Sequence, residues 1–152
     1  MTTGYSNAID EIYGLFNVAW LAGTTAIVGY IPQIYWQGNE TNDLPEIDKY
    51  YVRFNIKPVL EQQKTLSNVV DGIGKKRYNN VGMLFANIFT PLSDVTHMEK
   101  GRSLAELGRN AYRGKTTAGG IFFRNATIEE FSHSDKYFNF RVVAEYDYDD
   151  IG

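Results

Sequence analysis

A chain of 152 residues with 43% hydrophobic content can bury one core and is short for two domains of common size. Its 15 basic and 18 acidic residues leave a formal charge of −3, so no global field recruits nucleic acid or an anionic membrane. There is no cysteine, which excludes disulfide frameworks, thiolate metal sites and cysteine nucleophiles.

In chain order, Met1-Thr2-Thr3-Gly4-Tyr5 lacks the basic start and apolar run of a signal peptide, so synthesis and folding in a cytoplasm is expected. Ser6 is placed to cap a first helix, in which Ile9, Ile12, Tyr13, Phe16, Ala19 and Trp20 recur at helical spacing and Gly23 marks the end. Residues 26–36 read as extended chain, rich in β-formers, with Pro32 confining the segment to a sheet edge or a bulge. No charge occurs between Glu11 and Glu40. Asn17, Gly23, Thr24, Thr25, Gly29, Pro32 and Gln33 dilute that stretch below what a membrane span requires. It predicts instead a helix and a strand shielded by the fold or by neighbouring subunits.

Residues 37–49 are polar and acidic and predict an exposed loop. Residues 50–57 then alternate, Tyr50, Val52, Phe54 and Ile56 against Tyr51, Arg53, Asn55 and Lys57, which predicts a half-buried strand broken by Pro58. Residues 62–66 suggest a short further strand, and residues 68–76, with Asp71-Gly72, Gly74 and Lys75-Lys76, a flexible hairpin tip. Residues 81–90 are apolar on both faces, the mark of a central strand stopped by Pro91. Thr96-His97-Met98-Glu99 has the spacing of a capping box opening a second helix. Its stripe of Met98, Gly101, Leu104, Ala105, Gly108, Ala111 and Tyr112 runs to a stop at Gly114, and its small residues allow close packing. A strand opened by Gly119-Gly120 shifts parity near Arg124-Asn125, predicting a bulge. The last strand puts Phe138, Phe140, Val142, Ala144 and Tyr146 on one face and Asn139, Arg141, Glu145 and Asp147 on the other.

Candidate chemistry is thin. His97 and His133 are the only histidines and lack metal-ligand spacing; Asp94 and Glu99 beside His97 are better explained by helix capping and the helix dipole. Glu129 and Glu130 point to opposite faces of a strand and cannot act jointly as acid and base, so they read as a solvated edge and a partner contact. The run from Asp71 to Lys76 lacks the four-residue gap and the Ser or Thr of a phosphate loop. Lys75, Lys76 and Arg77 form a small basic cluster able at most to touch a phosphate backbone in passing.

The order of pieces resembles the tail terminator, or tail completion, proteins of long, non-contractile-tailed bacteriophages. The resemblance spans most of the chain. It rests on the first helix, Ile34-Tyr35-Trp36 before a loop, and Tyr50-Val52-Arg53-Phe54-Asn55-Ile56 ending at Pro58. Leu66-Ser67, a flexible gap, Arg77-Tyr78 and Phe85-Ala86-Asn87-Ile88-Phe89-Thr90-Pro91 follow, then the second helix, Gly119-Gly120-Ile121, and Tyr137-Phe138 leading into the last strand. The resemblance implies a single α+β domain, with two helices packed on one side of a mainly antiparallel sheet, and no cofactor or catalysis. It implies a virion protein made in the host cytoplasm, whose homohexameric ring caps the tail tube protein, halts tube polymerisation and offers the joining surface to the head connector or head-completion protein. Genomic DNA would meet it only in passage through the lumen, and no membrane would be involved. By matching position, loop 68–76, with Lys75, Lys76 and Arg77, faces the lumen. Tyr35 and Trp36 are the expected exposed interface residues, with core packing the alternative for Trp36. The acidic run Glu145, Asp147, Asp149, Asp150 and the acidic loop map to no family role; beside DNA they would avoid the lumen or line it so that DNA slides. The rival readings are another neck or tube subunit, a small metal- or nucleotide-dependent enzyme built on His97, Asp94, Glu99 or the loop 72–76, or a membrane-associated protein through residues 12–36.

Overall fold

The computed structural model describes residues 2–38, 48–64 and 76–151. Along the chain run α1 (Tyr5–Gly23), α2 (Thr25–Val28), β1 (Gln33–Trp36), β2 (Tyr51–Gln63), β3 (Arg77–Pro91), α3 (His97–Asn110), β4 (Phe122–Ser132) and β5 (Tyr137–Ile151). The strands form one sheet in the order β1-β2-β3-β5-β4, in which β1 pairs with β2 in parallel and every other pair is antiparallel. This is the α+β arrangement expected from the sequence, and β3 takes the central place that its two-sided apolar character calls for.

Period-two alternation puts Val52, Phe54 and Ile56 of β2, Leu84, Ala86 and Ile88 of β3, and Phe140, Val142, Ala144 and Tyr146 of β5 on one buried face. Ile12, Phe16 and Trp20 of α1 and Leu104 and Ala105 of α3 pack onto that face and are wholly buried. Each large apolar side chain buried this way contributes roughly 1.5–3 kcal/mol. The small residues of α3 set its closeness: a Cβ at Gly101 would run into the Phe140 ring, and one at Gly108 would lie 3.3 Å from Phe16 and Val142. Tyr112 Oη donates to the Ile12 carbonyl at 2.8 Å, tying the end of α3 to α1.

Several boundaries differ from those the sequence predicts. Gly4, not Ser6, is the N-cap of α1, so the Ser6 hydroxyl caps nothing. Gly23 is the last residue of α1, as expected, but a short second helix follows at once. Thr24 donates its hydroxyl to the Trp20 carbonyl at 2.7 Å, α2 continues, and left-handed Gly29 (φ 86°) makes the stop. The extended segment shrinks accordingly to the four residues of β1, which does lie at the sheet edge. Pro58 does not break β2; the strand continues to Gln63 through a register shift between Pro58 and Leu60. Proline is tolerated there because, among the described residues, one side of β2 carries no partner strand at that level and the irregularity absorbs the lost donor. Gln62 and Gln63 thus close β2 instead of opening a new strand. Thr96 is the N-cap of α3, as expected, but its side chain makes no cap bond; its own amide and hydroxyl donate to Asp94 two residues upstream. The α-helix ends at Asn110, with Gly114 (φ 69°) in the turn beyond. The bulge near Arg124-Asn125 is present, with Asn125 at φ 53° and a register shift between Arg124 and Thr127.

Candidate subunit interface

Tyr35 and Trp36 are neighbours on β1 and therefore point to opposite faces. Neither is the free aromatic expected from sequence. Trp36 turns into the helix-covered core, its ring 4.6 Å from Tyr13 and 5.4 Å from Phe54. Tyr35 lies on the helix-free face, yet is only 9% exposed. A second cluster covers it: Tyr51 meets its ring edge-on at 5.8 Å, stacks on Phe89 at 4.7 Å, and is met edge-on by Tyr137 at 5.3 Å.

The helix-free face continues as an array of arginine, amide and aromatic side chains. The Arg53 guanidinium, exposed, sits 5.9 and 6.0 Å from the Tyr35 and Tyr51 ring centroids. Arg141 stacks over Phe131 at 4.7 Å and donates to Asn87 Oδ1 at 2.9 Å, which also accepts from Asn139 Nδ2 at 3.3 Å. Arg and aromatic residues of this kind are enriched where proteins meet partners.

Farther along the same face lie Glu145, Asp147 and Asp149, three members of the acidic run. Arg124 ion-pairs with Asp147 and stands 3.9 Å from Glu145, while Arg77 stands 3.9 Å from Asp149, which also accepts from Asn79 Nδ2 at 3.1 Å. These three carboxylates therefore share two arginines within the subunit. Arg77 is consequently not a loop residue: it opens β3, opposite Ile151. Lys76 directly precedes the strand, and Lys75, with most of the expected loop 68–76, lies outside the described residues, as does the acidic loop between residues 39 and 47. Glu130 binds Arg102 of α3 at 2.8 Å and Glu129 stands 3.7 Å from Arg141, so the pair does divide between the two faces.

The enzyme candidates have structural tasks. Asp94 accepts from the Thr96 backbone N–H (2.9 Å), the Thr96 hydroxyl (2.8 Å), Tyr50 Oη (2.7 Å) and Lys100 Nζ (3.1 Å). The Thr96 N–H, followed by the Tyr50 hydroxyl, holds its carboxyl well below the usual carboxylate range. His97 Nδ1 lies 3.2 Å from the Thr90 hydroxyl. Among the described residues no group of three or more acidic or histidine side chains is placed to hold a metal.

The surface that sequence reasoning missed is apolar. Val18 and Leu21 of α1 are 69% and 49% exposed. With Leu15, Ala19 and Ala22 on one side and Leu107, Ala111 and Ala118 on the other, α1 walls a groove of about 680 Å³ between α1, α3 and the segment leading to β4. On another part of the subunit, Val59 and Leu60 stand 58% and 50% exposed at the β2 irregularity. The uncharged stretch after Glu11 was the available signal. By length and composition Tyr5–Val28 would suffice to cross a membrane; Ile12, Phe16 and Trp20 pack on the sheet, while only 22% of the segment's apolar window is buried.

The fold defines a one-sheet α+β domain with its principal helices on a single face. No family model and no curated protein matches the chain. A solved structure does, with a TM-score of 0.54 at 18% identity, over 95% of this chain and 96% of its own. At that identity the likeness shows the fold, as a single domain spanning nearly the whole chain.

Proposed function

We propose that the chain is a tail-terminator subunit of a long, non-contractile phage tail. Six copies close into a ring that sits on the completed tube, stops its growth and presents the surface that the head connector joins. The observation that carries this reading is exposed apolar surface on two unlike parts of one subunit, at Val18 and Leu21 on the helical layer and at Val59 and Leu60 on the sheet. Two different adhesive patches favour head-to-tail contacts, which make a ring when the rotation closes. The work of such a ring is steric and adhesive, and needs no cofactor. The ion-paired carboxylates of the helix-free face add support, since a partly neutralised surface lets a phosphate backbone slide past without being held.

The test is to add purified chain to polymerising tube subunits while measuring tube length and native mass. The expected result is tubes capped at one end by six copies, shorter as the chain is increased. Incorporation along the whole tube would identify a tube subunit instead. Failure to bind tube ends would remove the reading.

A further inference from the structure

α3 carries unlike features at its two ends. Before its first residue the chain turns through residues 92–95, where Val95 is 97% exposed and Leu92 41%. The turn is held from several sides. The Leu92 amide donates to the Lys136 carbonyl at 2.9 Å, Ser93 Oγ donates to Asp48 Oδ1 at 2.8 Å, and Asp94 takes its four donors, Tyr50 and Lys100 among them. An apolar side chain presented on a fixed backbone loses little freedom when a partner buries it, which makes it an anchor. At the other end of the same helix lies the groove of about 680 Å³, lined by Leu15, Val18 and Leu107, with exposed Lys115 beside them. Sites that bury a small ligand enclose about 300–1,000 Å³, so this one has room for two side chains and their turn.

We infer that the turn 92–95 of one copy seats in the α1–α3 groove of the next, with Val95 against Val18 and Leu107 and Glu99 beside Lys115; the inference rests on the ring reading above. From His97 to Leu107 the helix rises about 15 Å, so turn and groove cannot meet within one subunit but can meet between copies displaced along α3. The groove does not suit a second groove, because two concave surfaces enclose a void whose lining loses its contacts. Charge agrees with the convex partner. Glu99, exposed four residues after Val95, and Lys115 both lack an ion-pair partner among the described residues. Each copy then uses its turn on one neighbour and its groove on the other, the head-to-tail contact from which rings are built. Val59 and Leu60 take no part in it.

The chain has no cysteine, so introduced ones report contacts without interference. An equal mixture of Val95→Cys and Val18→Cys, assembled on tubes and oxidised, should give a disulfide-linked pair, since cysteines join only when their Cβ atoms come to about 4 Å. Neither variant alone should cross-link, nor should Val18→Cys mixed with Val59→Cys. Lys115→Glu should weaken assembly about fivefold at an unchanged urea midpoint of the unassembled chain, and adding Glu99→Lys should recover most of the loss. If a cysteine itself blocks assembly, the charge pair decides alone. Rings in which positions 18 and 95 do not join, a Val18→Cys that joins itself or Val59→Cys, or a Lys115→Glu that assembles as wild type, overturns the docking and leaves the ring standing. A chain that never associates with itself, alone or on tubes, overturns both.

Discussion

Asp94 gathers four donors at the start of α3 and ties the chain before β2 to the helix, so removing its charge has a calculable cost. A hydrogen bond to a charged acceptor contributes roughly 1.5–3 kcal/mol and a neutral one roughly 0.5–1.5. The Asp94 side chain is 25% exposed, which places the benefit of its charge toward the low end of that difference. Asp94→Asn, which retains an acceptor, should cost about 1 kcal/mol; Asp94→Ala, which strands the Tyr50 hydroxyl and the Thr96 N–H, about 2–3 kcal/mol. At about 2–4 °C per kcal/mol for a domain of this size, the alanine variant melts about 5–10 °C lower. The folded carboxyl titrates below its unfolded value of roughly 3.9. Its contribution is therefore complete above that pH and lost as pH falls through the folded pKa. Urea midpoints of the three proteins at neutral pH and in steps below pH 4 make the assay. The gap between wild type and Asp94→Asn should narrow steadily on acidification, while part of the alanine gap persists. A wild-type to asparagine gap that stays constant with pH would refute the role given to the charge.

Tyr146 and Tyr148 are each pushed up to about 12, chiefly by burial. Both raised values favour the neutral phenol in the fold, so stability is complete below the ordinary tyrosine value near 10 and falls between there and about pH 12, measured by denaturant melts alongside tyrosinate absorbance. Gly101→Ala drives a methyl into the Phe140 ring and should cost about 1–3 kcal/mol, with Phe140→Leu in the same chain recovering part of it. Leu104→Ala empties a fully buried site and should cost about 2–5 kcal/mol by urea melts. Val18→Asp, on an exposed apolar position, should leave the unassembled chain within about 0.5 kcal/mol of wild type and abolish self-association in native mass measurements. A variant that unfolds, or one that still assembles, contradicts the place given to Val18.

Local chemistry made much of the fold legible. Alternation in β2 and β5, apolar residues on both faces of β3, small residues on α3 and the parity change at Arg124-Asn125 each act within a few residues, and the structure bears them out. The errors fall where a distant group supplies what the local pattern lacks. Thr96 does hold the N-cap position, but its hydroxyl turns back to Asp94, whose carboxylate also accepts from Tyr50 of a remote stretch of chain, and makes no cap bond to α3. Gly23 does end α1, but the chain stays helical through α2, and the same glycine is a point of close contact, where a Cβ would lie 2.6 Å from Leu107 of α3.

The candidate interface divides in the same way. Pattern alone showed that residues after Glu11 carry no charge to keep them in water, but it set Tyr35 and Trp36 together as exposed residues of one edge. Tertiary structure decided which of these surfaces is free. Tyr35 is covered because Tyr51, Phe89 and Tyr137 converge from three other strands, whereas Val18, Leu21, Val59 and Leu60 stand open because no element of the described chain reaches them. Side-chain direction is fixed by backbone geometry one residue at a time, but exposure depends on what the rest of the chain brings within van der Waals range.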